Sequence, residues 1–332
     1  MVRMKMLLSV ISLLNITQGA SVSSVASPST DLALNSLIAF GDELSDNGNG
    51  SFAHGMTDGT SVYGFGTWTN GPVAVSYMAD ALGVPLTDYA FGGCCGGGSA
   101  GATLDNSYTP SDAGSPSLQD QVANYTSALH SGLPDPRKSM AFIWVGQNDL
   151  SHHTDAFWLD DPNNTKFSDS LSSYTVEAVQ NLLNLGMPYV FVSNLPPKQI
   201  MPVTAEYLCG APENACVDTW GQVIANANAQ LQKTLSSTFG DKVIYYDSFS
   251  YITILANNAV SLGFTQPLTK FCDGQGDASW NECMATQNNA AGQTEIVGWN
   301  DFFWMNFIQP TTRVHQLIGE DMAKTVMAAL GS

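Results

Sequence analysis

Apolar residues recur along this chain with two different periods. Short unbroken runs occur at Leu37–Phe40, Leu86–Phe91, Met140–Val145, Tyr189–Ser193 and Val243–Tyr246, each flanked by glycine, proline or small polar residues. Their length and flanks predict strands, and Met140–Val145 reads as one buried on both faces. Stretches with helical spacing lie between them. In Pro72–Leu82, Val75, Met78, Ala79 and Leu82 share a face, Pro72 suits the first turn and Gly83 ends it. Helices are also predicted over Ser117–His130, Tyr174–Leu185, Trp220–Leu235 and Pro310–Leu330, the last with Val314, Ile318, Met322 and Val326 on one side.

Strands alternating with helices predict a parallel sheet covered on both faces. No repeat or linker divides the chain, so residues 36–332 are expected to form one domain. Within it, 263–300 reads as a cysteine-bearing insertion, a long loop or lid. In such sheets ligands bind beyond the carboxyl ends of the strands. The loops after Phe40, Phe91 and Val145, and the segment before the last helix, should therefore face one crevice.

Charge and cysteine content narrow the classes. Asp and Glu outnumber Lys and Arg, 29 to 11, for a net charge of −18. That excludes a nucleic-acid partner, which needs clustered cations, and disfavours anionic lipid. Arg3 and Lys5, the apolar run Met6–Leu14 and the small residues Gly19 and Ala20 form the layout of a signal peptide over 1–20. The run is too short to span a bilayer, and no other stretch is long enough. Residues 21–35 read as a flexible lead-in, and the secretory route is the expected destination. Six cysteines fit an oxidising compartment. Cys209/Cys216 and Cys272/Cys283 are natural loop staples. Cys94 and Cys95 could bridge each other or distant partners, and the sequence leaves the pairing open. Sequons stand at Asn49, Asn124 and Asn163.

The crevice loops carry distinctive sequences: Phe40-Gly41-Asp42-Glu43-Leu44-Ser45-Asp46-Asn47-Gly48-Asn49, Tyr89-Ala90-Phe91-Gly92-Gly93, Gly146-Gln147-Asn148-Asp149 and Gln309-Pro310-Thr311-Thr312-Arg313-Val314-His315. With Asn70-Gly71-Pro72-Val73 and Asn194-Leu195-Pro196-Pro197, they resemble the sequence blocks of the GDSL, or SGNH, hydrolases, in particular the secreted fungal branch that includes carbohydrate acetylesterases. The resemblance covers nearly the whole mature chain. It implies a three-layer α/β/α sandwich around a central parallel sheet, flavodoxin-like in plan.

That family attacks esters with a serine, a histidine that takes its proton, and an aspartate that orients the histidine. The resemblance places Glu43 at the serine position, Gln309 at the histidine position and Asn306 at the aspartate position. Amides do not exchange protons near neutral pH. Gly92 and Asn148 retain the oxyanion-hole types, with Gly93 beside them. Ser45 reads as structural, and His315 as a packing residue of the last helix. His152 and His153 follow the third block on a loop, with no metal-binding spacing; neither metal nor cofactor is expected.

Phe307, with Ile308, sits between the replaced residues, and Trp144, Trp304 and Phe91 could add to a large apolar pocket. Glu43 there would have a raised pKa and could act as an acid. Such a cleft suits orientation more than proton transfer. The chain is similar in general character to the secreted hetero-Diels–Alderases of fungal tropolonic sesquiterpenoid biosynthesis. That likeness implies small-molecule partners, a tropolone quinone methide and a humulene-type terpene, with Glu43 assisting water loss and Asn148, Asn306 and Gln309 holding oxygens. Two alternatives stay open: a saccharide-binding dead esterase, and a residual hydrolase using Glu43 with water.

Overall fold

A computed structural model describes residues 34–48, 67–93, 101–111, 114–153, 164–272 and 294–331, with 283, 286–288 and 292. Five strands form the sheet: β1 (Ser36–Gly41), β2 (Leu86–Asp88), β3 (Ser139–Trp144), β4 (Tyr189–Ser193) and β5 (Val243–Tyr246). All pair in parallel, in the order β2-β1-β3-β4-β5. β2 is shorter than its apolar run, yet the pairing continues past it. Tyr89 N–H donates to Ala39 O at 2.8 Å and Phe91 N–H to Gly41 O at 3.0 Å.

Strand alternation builds two cores. Leu37, Ala39, Met140, Phe142, Phe191 and Ile244 face one side. There they meet α1 (Ala74–Leu82), α6 (Ser248–Asn257) and α7 (Thr312–Leu330). Ile38, Phe40, Ala141, Ile143, Val190 and Val192 face the other side. They pack on α2 (Leu118–Ala128), α4 (Thr165–Asn184) and α5 (Ala215–Phe239). Both faces of a parallel sheet are thereby covered, the three-layer sandwich the sequence implies.

Helix ends follow local chemistry. Ser117 and Asp120 form a reciprocal capping box at the start of α2. The Asn214 side chain accepts from the Cys216 and Val217 N–H groups, so α5 begins five residues before Trp220. α4 begins well before Tyr174, because Phe167, Ser168, Leu171 and Ser172 are all buried and the two serines break the apolar pattern. The segment carrying His152 is a short helix, α3 (Gln147–His152), where the sequence predicted a loop. Inside the insertion, β6 (Thr286–Asn288) and β7 (Thr294–Ile296) pair antiparallel.

Cys209–Cys216 and Cys272–Cys283 are disulfide-bonded, as their spacing predicted. Asn124 is exposed on α2. The leader, most of the lead-in, Asn49, Asn163, Cys94 and Cys95 lie outside the described residues. Among the described residues, no helix is long and apolar enough to cross a membrane.

Candidate active site

With the order β2-β1-β3-β4-β5, the chain reverses direction across the sheet between β1 and β3, the switch point beyond whose carboxyl ends such sheets bind ligands. The turn after β1 is tied down from within. Asp42 Oδ1 accepts from Leu44 N–H at 3.0 Å, and Asp42 O accepts from Ser45 and Asp46 N–H. Ser45 is fully buried under this turn.

β3 passes into α3 through Gly146, at φ 112°, a left-handed conformation that glycine adopts without strain. Gln147 and Asn148 open that helix. Gln147 Nε2 donates to Glu43 Oε1 at 2.8 Å, and Asn148 Nδ2 donates to Glu43 Oε2 at 2.9 Å. Asn148 Nδ2 also donates to Ala102 O at 3.1 Å. Gly101 closes the third side: a Cβ there would collide with Glu43 Oε2 and lie 2.9 Å from Gly93 N.

This geometry corrects two expectations. Asn148 was expected to offer a free donor to substrate, but both its amide hydrogens are committed within the protein. Gly92, expected at the other oxyanion-hole position, donates its N–H to Asp46 Oδ2 at 2.6 Å.

Burial dominates the electrostatics. Desolvation raises the Glu43 pKa, opposed first by the Asn148 hydrogen bond. Asp42 is raised well above its ordinary value by burial and then by the charge of Glu43. Burial lifts Asp149 to about 7. The counter-ion is Lys198, which the sequence reading missed. It is buried, and its Nζ donates to Gln147 O at 3.0 Å and to Ser151 Oγ. Desolvation lowers its pKa to about 8 against the pull of Glu43 and Asp42. Its signal was faint: one lysine after Pro196-Pro197 in a chain poor in cations.

The last block approaches from another side. Asn306 Oδ1 accepts from Ile308 N–H at 2.9 Å and Gln309 N–H at 2.8 Å, while its Nδ2 donates to Trp68 O at 3.2 Å. Asn306 thus shapes the turn, and its oxygen is occupied by backbone rather than open to a ligand. Thr69 Oγ1 donates to Pro310 O at 2.6 Å, and Asn70 Oδ1 accepts from Thr312 N–H at 2.8 Å. Gln309 is buried, and its side-chain amide has no hydrogen-bond partner among the described residues. His315 is buried and pushed down to about 3, with Nδ1 accepting from Ala74 N–H, a packing role.

The expected apolar walls are placed differently. Trp144 and Trp304 are fully buried core residues, Trp144 with its indole N–H on Asn194 O. Both face the α1–α7 core because the even-numbered positions of β3, Met140, Phe142 and Trp144, and the Phe303–Trp304 pair pack there. Phe307 points outward, 45% exposed, with its ring edge-on to Phe271. The structure joins Asn148 to Glu43 by a hydrogen bond, and adds Gln147, Lys198, Gly101 and Trp68, which sequence reasoning missed.

Comparison with known proteins agrees with this fold. Residues 37–321 match the GDSL-like lipase/acylhydrolase family. A GDSL esterase/lipase of Arabidopsis thaliana is 27% identical over 85% of this chain and 85% of its own length. A second from the same plant is 23% identical over 71% of this chain and 79% of its own length. Lipase 1 of Photorhabdus luminescens is 29% identical over 56% of this chain, but over only 26% of its own length.

Proposed function

The chain belongs to the GDSL-like lipase/acylhydrolase family, and on that premise we propose that its crevice carries a reaction other than ester hydrolysis. One observation carries the reading. The residue at the nucleophile position, Glu43, is a carboxyl embraced by Gln147 and Asn148, the latter an oxyanion-hole donor. Serine hydrolysis needs an attacking hydroxyl, a base and free donors for the developing oxyanion. Here the nucleophile and base positions hold Glu43 and Gln309, and the Gly92 and Asn148 donors are spent inside the protein.

The reaction we assign is an intermolecular hetero-Diels–Alder cycloaddition between a tropolone quinone methide and a humulene-type terpene. A cycloaddition gains mainly from holding two partners in the reactive geometry, worth about 7–11 kcal/mol in favourable cases. Glu43, with its raised pKa, supplies a proton to the leaving hydroxyl of a hydroxymethyl precursor, which departs as water while the ring hydroxyl returns a proton to the carboxylate and becomes the carbonyl of the quinone methide. The outward rings of Tyr207, Phe271 and Phe307, with centroids 6.3 and 6.4 Å apart, offer apolar surface beside the last block. The same rings favour a second reading, a saccharide-binding pseudo-esterase. The two disulfides support the oxidising, secretory setting.

The test is coupling of the hydroxymethyl tropolone with humulene in the presence of purified protein. The expected result is a faster reaction and one dominant stereoisomer, both reduced in Glu43→Gln. Unchanged rate and stereochemistry relative to buffer would overturn the assignment. Saturable saccharide binding without coupling would establish the second reading.

A further inference from the structure

Lys198 is a buried base that the cycloaddition does not use. The loop before it fixes its place. Leu195 N–H donates to Asn228 Oδ1, and Asn228 Nδ2 donates back to Leu195 O, both at 3.0 Å, which bolts the Pro196-Pro197 turn to α5. The Lys198 side chain, 3% exposed, then reaches the last turn of α3. There Nζ donates to Gln147 O at 3.0 Å and to Ser151 Oγ. Both acceptors are neutral, and among the described residues no carboxylate forms an ion pair with the amine. Ser151 is exposed, so the contact leads from a buried amine to the surface.

A hydroxyl is a weak nucleophile until an adjacent base takes its proton. While Lys198 is protonated, Nζ donates to Ser151 Oγ and the hydroxyl hydrogen goes to Gln147 O at 2.9 Å. Loss of one proton leaves a lone pair on Nζ, and the hydroxyl needs only a rotation about its C–O bond to donate to it. Burial favours this neutral form and lowers Lys198 to about 8. The charges that oppose it, Glu43 and Asp42, are themselves held toward neutrality by burial. Ser127 on α2 supplies the contrast. It is exposed and makes the same bond to the carbonyl four residues back, Ala123 O at 2.9 Å. The amine of Lys198 is what distinguishes Ser151 from it.

We infer that Ser151 and Lys198 form a serine–lysine nucleophile, separate from the carboxyl of Glu43, that captures one acyl or sulfonyl group per chain from an electrophile with a good leaving group. With a sulfonyl fluoride, Ser151 Oγ attacks sulfur. The O–S bond forms, the S–F bond breaks, fluoride leaves with the bonding pair, and the hydroxyl proton passes to Lys198 Nζ. The group stays on Ser151, so the site is spent after one equivalent and gives no turnover.

The test is labelling of the purified protein with phenylmethanesulfonyl fluoride between pH 7 and pH 9, with the adduct located by peptide mass spectrometry. One adduct, on Ser151 and not on Ser127, is the expected result. Its rate should rise about tenfold across that range, as an amine with a pKa of about 8 loses its proton, and then level off. Lys198→Met should slow labelling by about tenfold or more, and Ser151→Ala should abolish it. Thermal melts confirm that each variant is folded. Equal labelling of Ser127 and Ser151 in the wild-type protein, which needs no variant, would overturn the inference. So would an adduct on Lys198 instead, or none at pH 9. A rate that climbs about tenfold with every pH unit, as hydroxide alone would give, would overturn it too. Undiminished labelling in folded Lys198→Met would do the same.

Discussion

Glu43 is held by Gln147 and Asn148, and Lys198 sits behind Gln147 as the charge that makes the buried acids tolerable. Lys198 Nζ is the donor to Gln147 O and Ser151 Oγ, and removing a buried donor so that its acceptors go unpaired costs about 1–3 kcal/mol. Lys198→Met should accordingly lower stability by that order in urea denaturation. It should also raise the pH at which Glu43 and Asp42 ionise, since the field that favours their charged forms is gone. A loss well under 1 kcal/mol would mean that Lys198 is a bystander. Of this group, the sequence made only the Glu43–Asn148 encounter legible, because block spacing fixes which loops meet. It did not reveal that the two residues satisfy each other. Whether a donor is free depends on its neighbours in space, and Ala102 and Asp46 come from other loops.

At the scale of elements, strands were the most legible feature. β4 and β5 occupy the runs read from the sequence: β4 is buried on both faces and reads as a bare apolar stretch, and β5, at the sheet edge, is a short apolar run of alternating burial. Helices were clearer in the middle than at their starts. Buried serines in α4 and the polar first turn of α5 hide where they begin. α6 was missed because its ten residues bury just Ser248, Ile252, Leu255 and Ala256, too few to establish a period. α3 was missed because three of its four buried residues, Gln147, Asn148 and Asp149, are polar and only Leu150 is apolar, too little for a hydrophobic pattern to register. Its geometry depends on Gly146, where a Cβ would lie 2.9 Å from Leu171 Cδ1 and 3.1 Å from Leu195 Cδ2 at φ 112°. Gly146→Ala should destabilise the protein by about 1–3 kcal/mol from the left-handed backbone alone. It should also shift α3 and weaken the Gln147–Glu43 contact, visible as a lowered melting temperature and altered exchange of the Gln147 side-chain amide.

For the whole molecule, buried acids and a charge of −18 act in the same direction. Asp149 rises from an ordinary 3.8 to about 7, so the fold retains a proton there that the unfolded chain has lost. Stability therefore falls as pH rises through that interval, and Asp42 and Glu43 add to the same slope. Lys198 works oppositely: lowered from 10.5 to about 8, it gives up its proton in the fold while the unfolded chain keeps one. Stability recovers in part between those values. Melting temperature should thus be higher near pH 5 than near pH 8, with the slope flattened in Asp149→Asn. A maximum at pH 8 would contradict this balance.

The chain belongs to the GDSL-like lipase/acylhydrolase family, while we propose that the carboxyl of Glu43 stands at the nucleophile position. The most direct measurement is cleavage of an aryl acetate and of acetylated xylan by the purified wild-type protein and by Glu43→Gln, at neutral pH. No turnover above buffer by either protein is the expected result. Turnover by the wild type that disappears in Glu43→Gln would mean that the carboxyl activates water, and would return the chain to its family's chemistry.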